Sequence, residues 1–225
     1  MVAEHSLMVT CVCLSVILLM APPACAEESS NVKDGFYLGL SLVHNGMSGD
    51  FDDTTFLVSP PDVYDVPDVD SGAGFGVMAG WRSSKGALEF GYQRSIHDTS
   101  SSFVDIGDSE ASYNVVDLNI KFDIFAESDL FARHGLRPYL LVGLGIPWLT
   151  IEDSMTDGYS YDDETFVGFC LNAGAGIAYY FHPQWAVTGG VIHRWNWFGS
   201  VEGESIDDSL KERALGFTVG IAYTF

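Results

Sequence analysis

"ALGFTVGIAYTF", residues 214–225, is the stretch on which the fold turns. Leu215, Phe217, Val219, Ile221, Tyr223 and Phe225 are large and apolar. Ala214, Gly216, Thr218, Gly220, Ala222 and Thr224 between them are small. Such an alternation marks a β-strand, whose successive side chains point to opposite faces. A soluble sandwich gives this pattern. So does a barrel whose outside meets lipid and whose narrow inside admits only small side chains.

Seven earlier segments repeat the alternation: 35–44, 73–82, 87–96, 113–125, 137–146, 166–181 and 186–197. In 113–125, for example, Val116, Leu118, Ile120, Phe122 and Ile124 oppose Asp117, Asn119, Lys121 and Asp123. Each is about as long as a tilted strand needs to cross a bilayer. The connections alternate in length. Those at 83–86, 126–136 and 182–185 are short or moderate, and those at 45–72, 97–112, 147–165 and 198–213 are long. In an up-and-down antiparallel barrel this places every long loop at one end, as outer-membrane barrels do. A soluble sandwich, the alternative fold, has no reason to sort its loops.

The net charge is −21, with only ten Lys plus Arg. Phosphate-backbone binding needs a basic footprint, so nucleic acid is excluded as a partner. Most of the acid falls in the long loops, as at 49–53 ("GDFDD") and 157–164 ("DGYSYDDE"). Greasy wall and anionic mouth are thus separate parts of one chain.

Residues 1–26 read as a signal peptide: an apolar run from Leu7 to Met20, then Pro22 and Pro23, then Ala24-Cys25-Ala26 as the cleavage site. No Lys or Arg precedes the run, and Cys25 leaves lipid attachment as an alternative. Residues 27–225 then form the barrel domain. Cys170 is the one cysteine left after cleavage, so the mature chain is expected to hold no internal disulfide.

With these residues in hand, the chain resembles the small outer-membrane β-barrel proteins of Gram-negative bacteria, the group of the outer membrane protein A membrane domain and related adhesion barrels. The residues that carry the likeness are the final strand ending Ile221, Tyr223, Phe225, then "RPYLLVGLG" (137–145), "LNAGAGIAYYF" (171–181) and "HPQWAVTGGVIHRWNW" (182–197). The resemblance implies a closed, eight-stranded, antiparallel transmembrane barrel in the outer membrane. It also implies contact with outer-membrane lipid and lipopolysaccharide, and a final strand that the barrel-assembly machinery reads.

Inside so narrow a barrel, charges need partners. Glu89, Asp117, Lys121, Asp123 and Arg194 are expected to form one or two interior networks, as a structural plug or a gated ion path. Trp81, Tyr179, Trp195, Trp197, Tyr223 and Phe225 fit girdles at the two interfaces. Arg94, outward near the outer rim, is placed to meet lipopolysaccharide phosphates. The acidic clusters supply hard oxygen ligands without EF-hand spacing, so weak divalent-cation binding is the most they suggest, and no cofactor is expected. His44, His97 and His193, with Ser41 or Ser95, fall near the outer rim, but no compact His-x-Ser pair occurs, so no catalytic residue is expected. The function read from the chain is non-catalytic: a barrel presenting acidic loops for adhesion or interaction with an external ligand. A narrow porin-like channel is the alternative, and a lipid-modifying enzyme the less favoured one.

Overall fold

The computed structural model describes residues 33–51, 54–59, 62–66, 68–100, 109–125, 135–152, 164–201 and 204–225. The signal peptide expected at 1–26, residues 52 and 53 of the first acidic cluster and residues 157–163 of the second lie outside them.

Among the described residues ten strands follow in chain order: β1 (Gly35–Gly49), β2 (Thr54–Ser59), β3 (Asp62–Val66), β4 (Asp68–Ser83), β5 (Gly86–Ser100), β6 (Ser109–Asp123), β7 (Leu136–Ile151), β8 (Glu164–His182), β9 (Trp185–Val201) and β10 (Glu204–Thr224). Eight of them close a barrel in the order β1-β10-β9-β8-β7-β6-β5-β4, every pair antiparallel. The remaining two, β2 and β3, form a separate hairpin within the connection from β1 to β4. Closure leaves no unpaired edge, which is what lets strands stand in hydrocarbon.

The final strand stands as its alternation requires. Leu215, Phe217, Ile221 and Phe225 are exposed on the outer wall, and Ala214 is fully buried. At the periplasmic end β4 and β5 are joined by Ser84 and Lys85 alone, and β8 and β9 by Pro183 and Gln184 alone. The amide of Phe225 is tied back to the carbonyl of Phe36 at 2.9 Å, fastening the last residue to β1.

The strands run further outward than their apolar alternation. Segments 45–72, 97–112, 147–165 and 198–213, expected as loops, therefore begin and end as strand: β1 continues to Gly49, β5 to Ser100, β7 to Ile151 and β9 to Val201. The reason is visible on β6. Below Val116, the outward residues Leu118, Ile120 and Phe122 are exposed and apolar, and the inward ones are Asp117, Asn119 and Lys121. Above it the sides exchange character. Glu110, Ser112 and Asn114 face out, while Ala111, Tyr113 and Val115 are fully buried inside. The strand keeps its pleat, but the solvent outside changes from lipid to water, so the apolar side moves inward.

That exchange builds an inner core the sequence reading did not contain. Phe51, Val69, Tyr113, Val115, Leu149, Ile151, Phe166, Cys170, Phe198 and Leu210 pack together across the outer part of the barrel. Phe51 lies edge-on to Phe166 and Phe198, with ring centroids 5.2 and 5.4 Å apart. An expectation of small or polar inward side chains throughout thus fails in the outer part, and in the membrane-embedded part it holds except where Tyr37, Tyr139, Leu141 and Ile192 point inward.

Candidate functional site

Three layers of charge occupy the lumen beneath this apolar plug. In the middle one, Lys121 Nζ stands 2.6 Å from Glu89 Oε2. Tyr37 donates its hydroxyl to the same oxygen at 2.7 Å, and the ammonium lies 4.9 Å from the centre of the Tyr139 ring. These tyrosines fit because glycines face them. A Cβ on Gly80 would come within 2.7 Å of Tyr37 Cε1, and one on Gly190 within 3.0 Å of the Tyr139 hydroxyl.

Nearer the plug, Arg194 Nη2 donates to Asp117 Oδ2 at 3.1 Å and to Gln93 Oε1 at 3.0 Å. The other oxygen of Asp117 accepts from Asn119, which in turn accepts from Asn172. Asp123 is not brought to either group. It pairs with Arg82 at 3.4 Å and Arg137 at 3.7 Å at the periplasmic end, where Arg82 also bonds the Tyr180 hydroxyl. The five residues singled out in the sequence are therefore distributed over three layers. Arg82 and Arg137 were missed, though each lies one step along an inward row: Arg82 after Gly80, and Arg137 before Tyr139.

Between the layers lies a cavity of about 70 Å³, with Ser41, Gln93, Asp117, Tyr139, Arg194 and Thr218 among its lining residues. Among the described residues, Gln93 Nε2 and Arg194 Nε and Nη1 are buried without a protein partner. Buried donors of this kind are ordinarily satisfied by internal water, and the volume suffices for a few molecules.

At the outer mouth a hydrogen-bond relay runs past the plug. Asn45 Nδ2 donates to Ser95 Oγ at 2.9 Å, Ser95 Oγ lies 2.8 Å from His97 Nε2, and His97 Nδ1 lies 2.7 Å from the Asp70 carbonyl. A carbonyl can only accept, so Nδ1 carries the proton and Nε2 accepts from Ser95. Burial holds the His97 pKa below its ordinary 6.5. Ser95-Ile96-His97 is a Ser-x-His pair, the reverse order of the one sought in the sequence. Both side chains are buried and each hydrogen-bonds within the relay, so the pair offers no surface for a substrate. His44 and His193 are on the outward rows, across the wall from it.

The mouth is held shut by residues 50 and 51. Asp50 exchanges two hydrogen bonds with the Lys211 backbone, at 2.9 and 2.8 Å, and the Phe51 amide donates to Glu212 Oε2 at 3.3 Å. Glu212 lies above the apolar band. Burial raises its pKa from 4.5 to about 7, against the opposing effect of backbone N–H donors at Phe51, Ser48 and Arg213, and with Asp50 adding to the rise.

The aromatics sort to two levels. Trp81, Tyr179, Tyr223 and Phe225 lie at the periplasmic ends of their strands, and Trp185 and Phe36 join them. Trp185 is 4.8 Å from Tyr223, which is 5.1 Å from Phe225, which is 5.7 Å from Phe36. Trp195 and Trp197 mark the outer level on β9, and Trp148 stacks there on Tyr92. No cluster of three metal-ligating side chains occurs among the described residues.

Residues 11–225 match the family model described as outer membrane protein beta-barrel domain. No curated protein matches the chain. Among solved structures it is similar to Neisserial surface protein A, with 16% identity over 85% of this chain and 97% of that one, at a TM-score of 0.55. It is also similar to the outer membrane protein OprG from Pseudomonas aeruginosa, with 14% identity over 88% and 99% of the two chains, at a TM-score of 0.53. At these identities the likeness is one of fold.

Proposed function

The chain belongs to the outer-membrane protein β-barrel domain family, and from that premise we propose that it is a closed, non-catalytic scaffold that presents acidic segments outside a Gram-negative cell. The observation that carries this reading is the plug. Phe51, Tyr113, Leu149, Phe166, Phe198 and Leu210 fill the mouth, and the interior charges below are paired rather than arrayed along an open path. A barrel built this way is a pedestal. Its acidic connections serve adhesion, surface shielding, or contact with a cationic or divalent-bridged partner. Lipopolysaccharide surrounds the outer half, and the strand ending Tyr223-Thr224-Phe225 is the segment the assembly machinery engages.

The test is conductance of the purified, heat-modifiable protein in a planar bilayer. A scaffold gives no discrete current steps. Steps that persist across preparations would replace this reading with the second one, a narrow channel. That alternative draws on the polar cavity lined by Asp117, Arg194 and Gln93.

A further inference from the structure

We propose that the outer wall of β9 and β10 at the outer interface, where Lys211 and Arg213 stand beside Trp197 and Trp195, is a binding site for the phosphorylated headgroup of an outer-leaflet lipid. The proposal rests on the reading of the chain as an outer-membrane barrel in contact with lipopolysaccharide and gives that contact a place.

Cations are scarce in this chain, ten in all against 31 acids, so their positions carry information. Among the described residues, Lys121 and Arg194 are committed to the lumen, and Arg82, Lys85 and Arg137 stand at the periplasmic end, as does Lys33, whose amide bonds the Pro183 carbonyl. Among the described residues the outer half keeps three, Arg94, Lys211 and Arg213, all exposed and all on outward rows. Two of the three are successive outward residues of one strand, about 6–7 Å apart by strand rise. That spacing lets one phosphate, or two on one headgroup, engage both.

Neither side chain makes an ion pair among the described residues. Glu212 between them points into the barrel, and the Asp50 carboxylate is bonded to the Lys211 amide. Across the ladder Arg213 pairs with Trp195 on one side and Ser48 on the other, and Lys211 pairs with Trp197. The indoles are themselves held: Trp195 by the His193 ring at 4.3 Å, Trp197 by Phe169 at 6.3 Å. Immediately below, Leu215 and Phe217 continue the same outward row as exposed apolar residues. Cation and indole stand side by side at one level and exposed apolar side chains follow below them, the order of a phosphorylated glycosyl headgroup above its acyl chains. That sequence selects an amphiphile over free phosphate, which the acidic connections would otherwise repel.

The experiment is native mass spectrometry of the full protein in detergent, titrated with bis-phosphorylated lipid A, dephosphorylated lipid A or inorganic phosphate. The parent and K211R/R213K should bind the phosphorylated lipid, with K211Q/R213Q about tenfold weaker. Lys33→Gln, at the periplasmic end, should bind like the parent. Dephosphorylated lipid should bind the parent no better than phosphorylated lipid binds K211Q/R213Q. Undiminished binding by K211Q/R213Q, equal binding of the dephosphorylated lipid, or displacement of the lipid by inorganic phosphate at equal concentration overturns the site. Failure of the underlying reading is seen separately, as protein that does not fractionate with outer membranes.

Discussion

Glu212 Oε2 accepts the backbone N–H of Phe51 at 3.3 Å, joining residues 161 apart in the chain at the rim of the barrel. The carboxyl has a folded-state pKa of about 7, raised from 4.5 chiefly by burial. A raised acid is favoured in its protonated form by the folded state. Its contribution is present in full below about pH 4.5 and is lost as pH rises through about 7. Hydrogen exchange at residues 49–51, corrected for its intrinsic pH dependence, should therefore quicken as pH rises from about 4.5 to about 7, by up to about tenfold per pH unit, and level off above about 7. In Glu212→Gln the excess over the intrinsic pH dependence of exchange should vanish. An identical excess in both proteins would exclude Glu212 as the titrating group.

His97 carries the opposite sign. Its pKa is depressed by burial, so its contribution is present above about 6.5 and fades as pH falls through the folded-state value. Protonation also removes the acceptor that Ser95 needs. His97→Gln should flatten the acid limb of a stability profile measured by urea titration between pH 7 and 4. A limb of unchanged slope would assign it to other groups.

The Lys121–Glu89 pair is buried, at 2.6 Å. Lys121→Met leaves a carboxylate bonded only to Tyr37, and such an orphaned charge costs about 3–5 kcal/mol. Replacing both members, as Glu89→Leu with Lys121→Met, should recover most of that loss. Urea titrations followed by heat-modifiable gel mobility read both values.

Phe51 and Phe198 meet edge-to-face in the plug. Phe198→Ala should cost about 3–5 kcal/mol by leaving a cavity. The double variant F51A/F198A removes both rings of the contact and should admit small ions where the parent admits none. Single-channel recording decides this.

Ile120 and Ser112 share the outward row of β6, on opposite sides of the point where the wall changes character. Ile120→Arg places a charge near the bilayer midplane and should cost about 2–4 kcal/mol. Ser112→Arg, in water, should stay within about 0.5 kcal/mol of the parent. Equal costs would mean that the wall does not change solvent between them.

The barrel was legible because lipid leaves a period-two pattern that hardly any other environment leaves. From Leu215 to Phe225 the outward row is unbroken, and the inward row holds nothing larger than Thr. The rest was hidden by the same physics. Above Val116 the apolar residues move to the inner row, so a reader following the greasy outer stripe sees it end and infers a loop. Phe51 sits in an acid-rich stretch and looks like part of a solvated segment, yet it is almost fully buried. The charged layers were legible as inward charges on strands, but their pairing depends on register across the barrel. Register set Asp123 beside Arg82 rather than beside Lys121.

The change of sidedness on β6, repeated where Leu210 gives way to Leu215 on β10, also determines how deeply the molecule sits. From Leu215 to Phe225 the lipid-facing row spans roughly 33 Å along the strand, or roughly 25 Å upright once a barrel's tilt is included. Charged and hydroxyl groups begin immediately above that height, and the aromatic belt closes it below. A thicker bilayer would have to thin around the protein or wet its own acyl chains against Arg94 and Arg213. The wall is in effect a depth gauge, and the protein should partition toward thin membranes even before any partner is met.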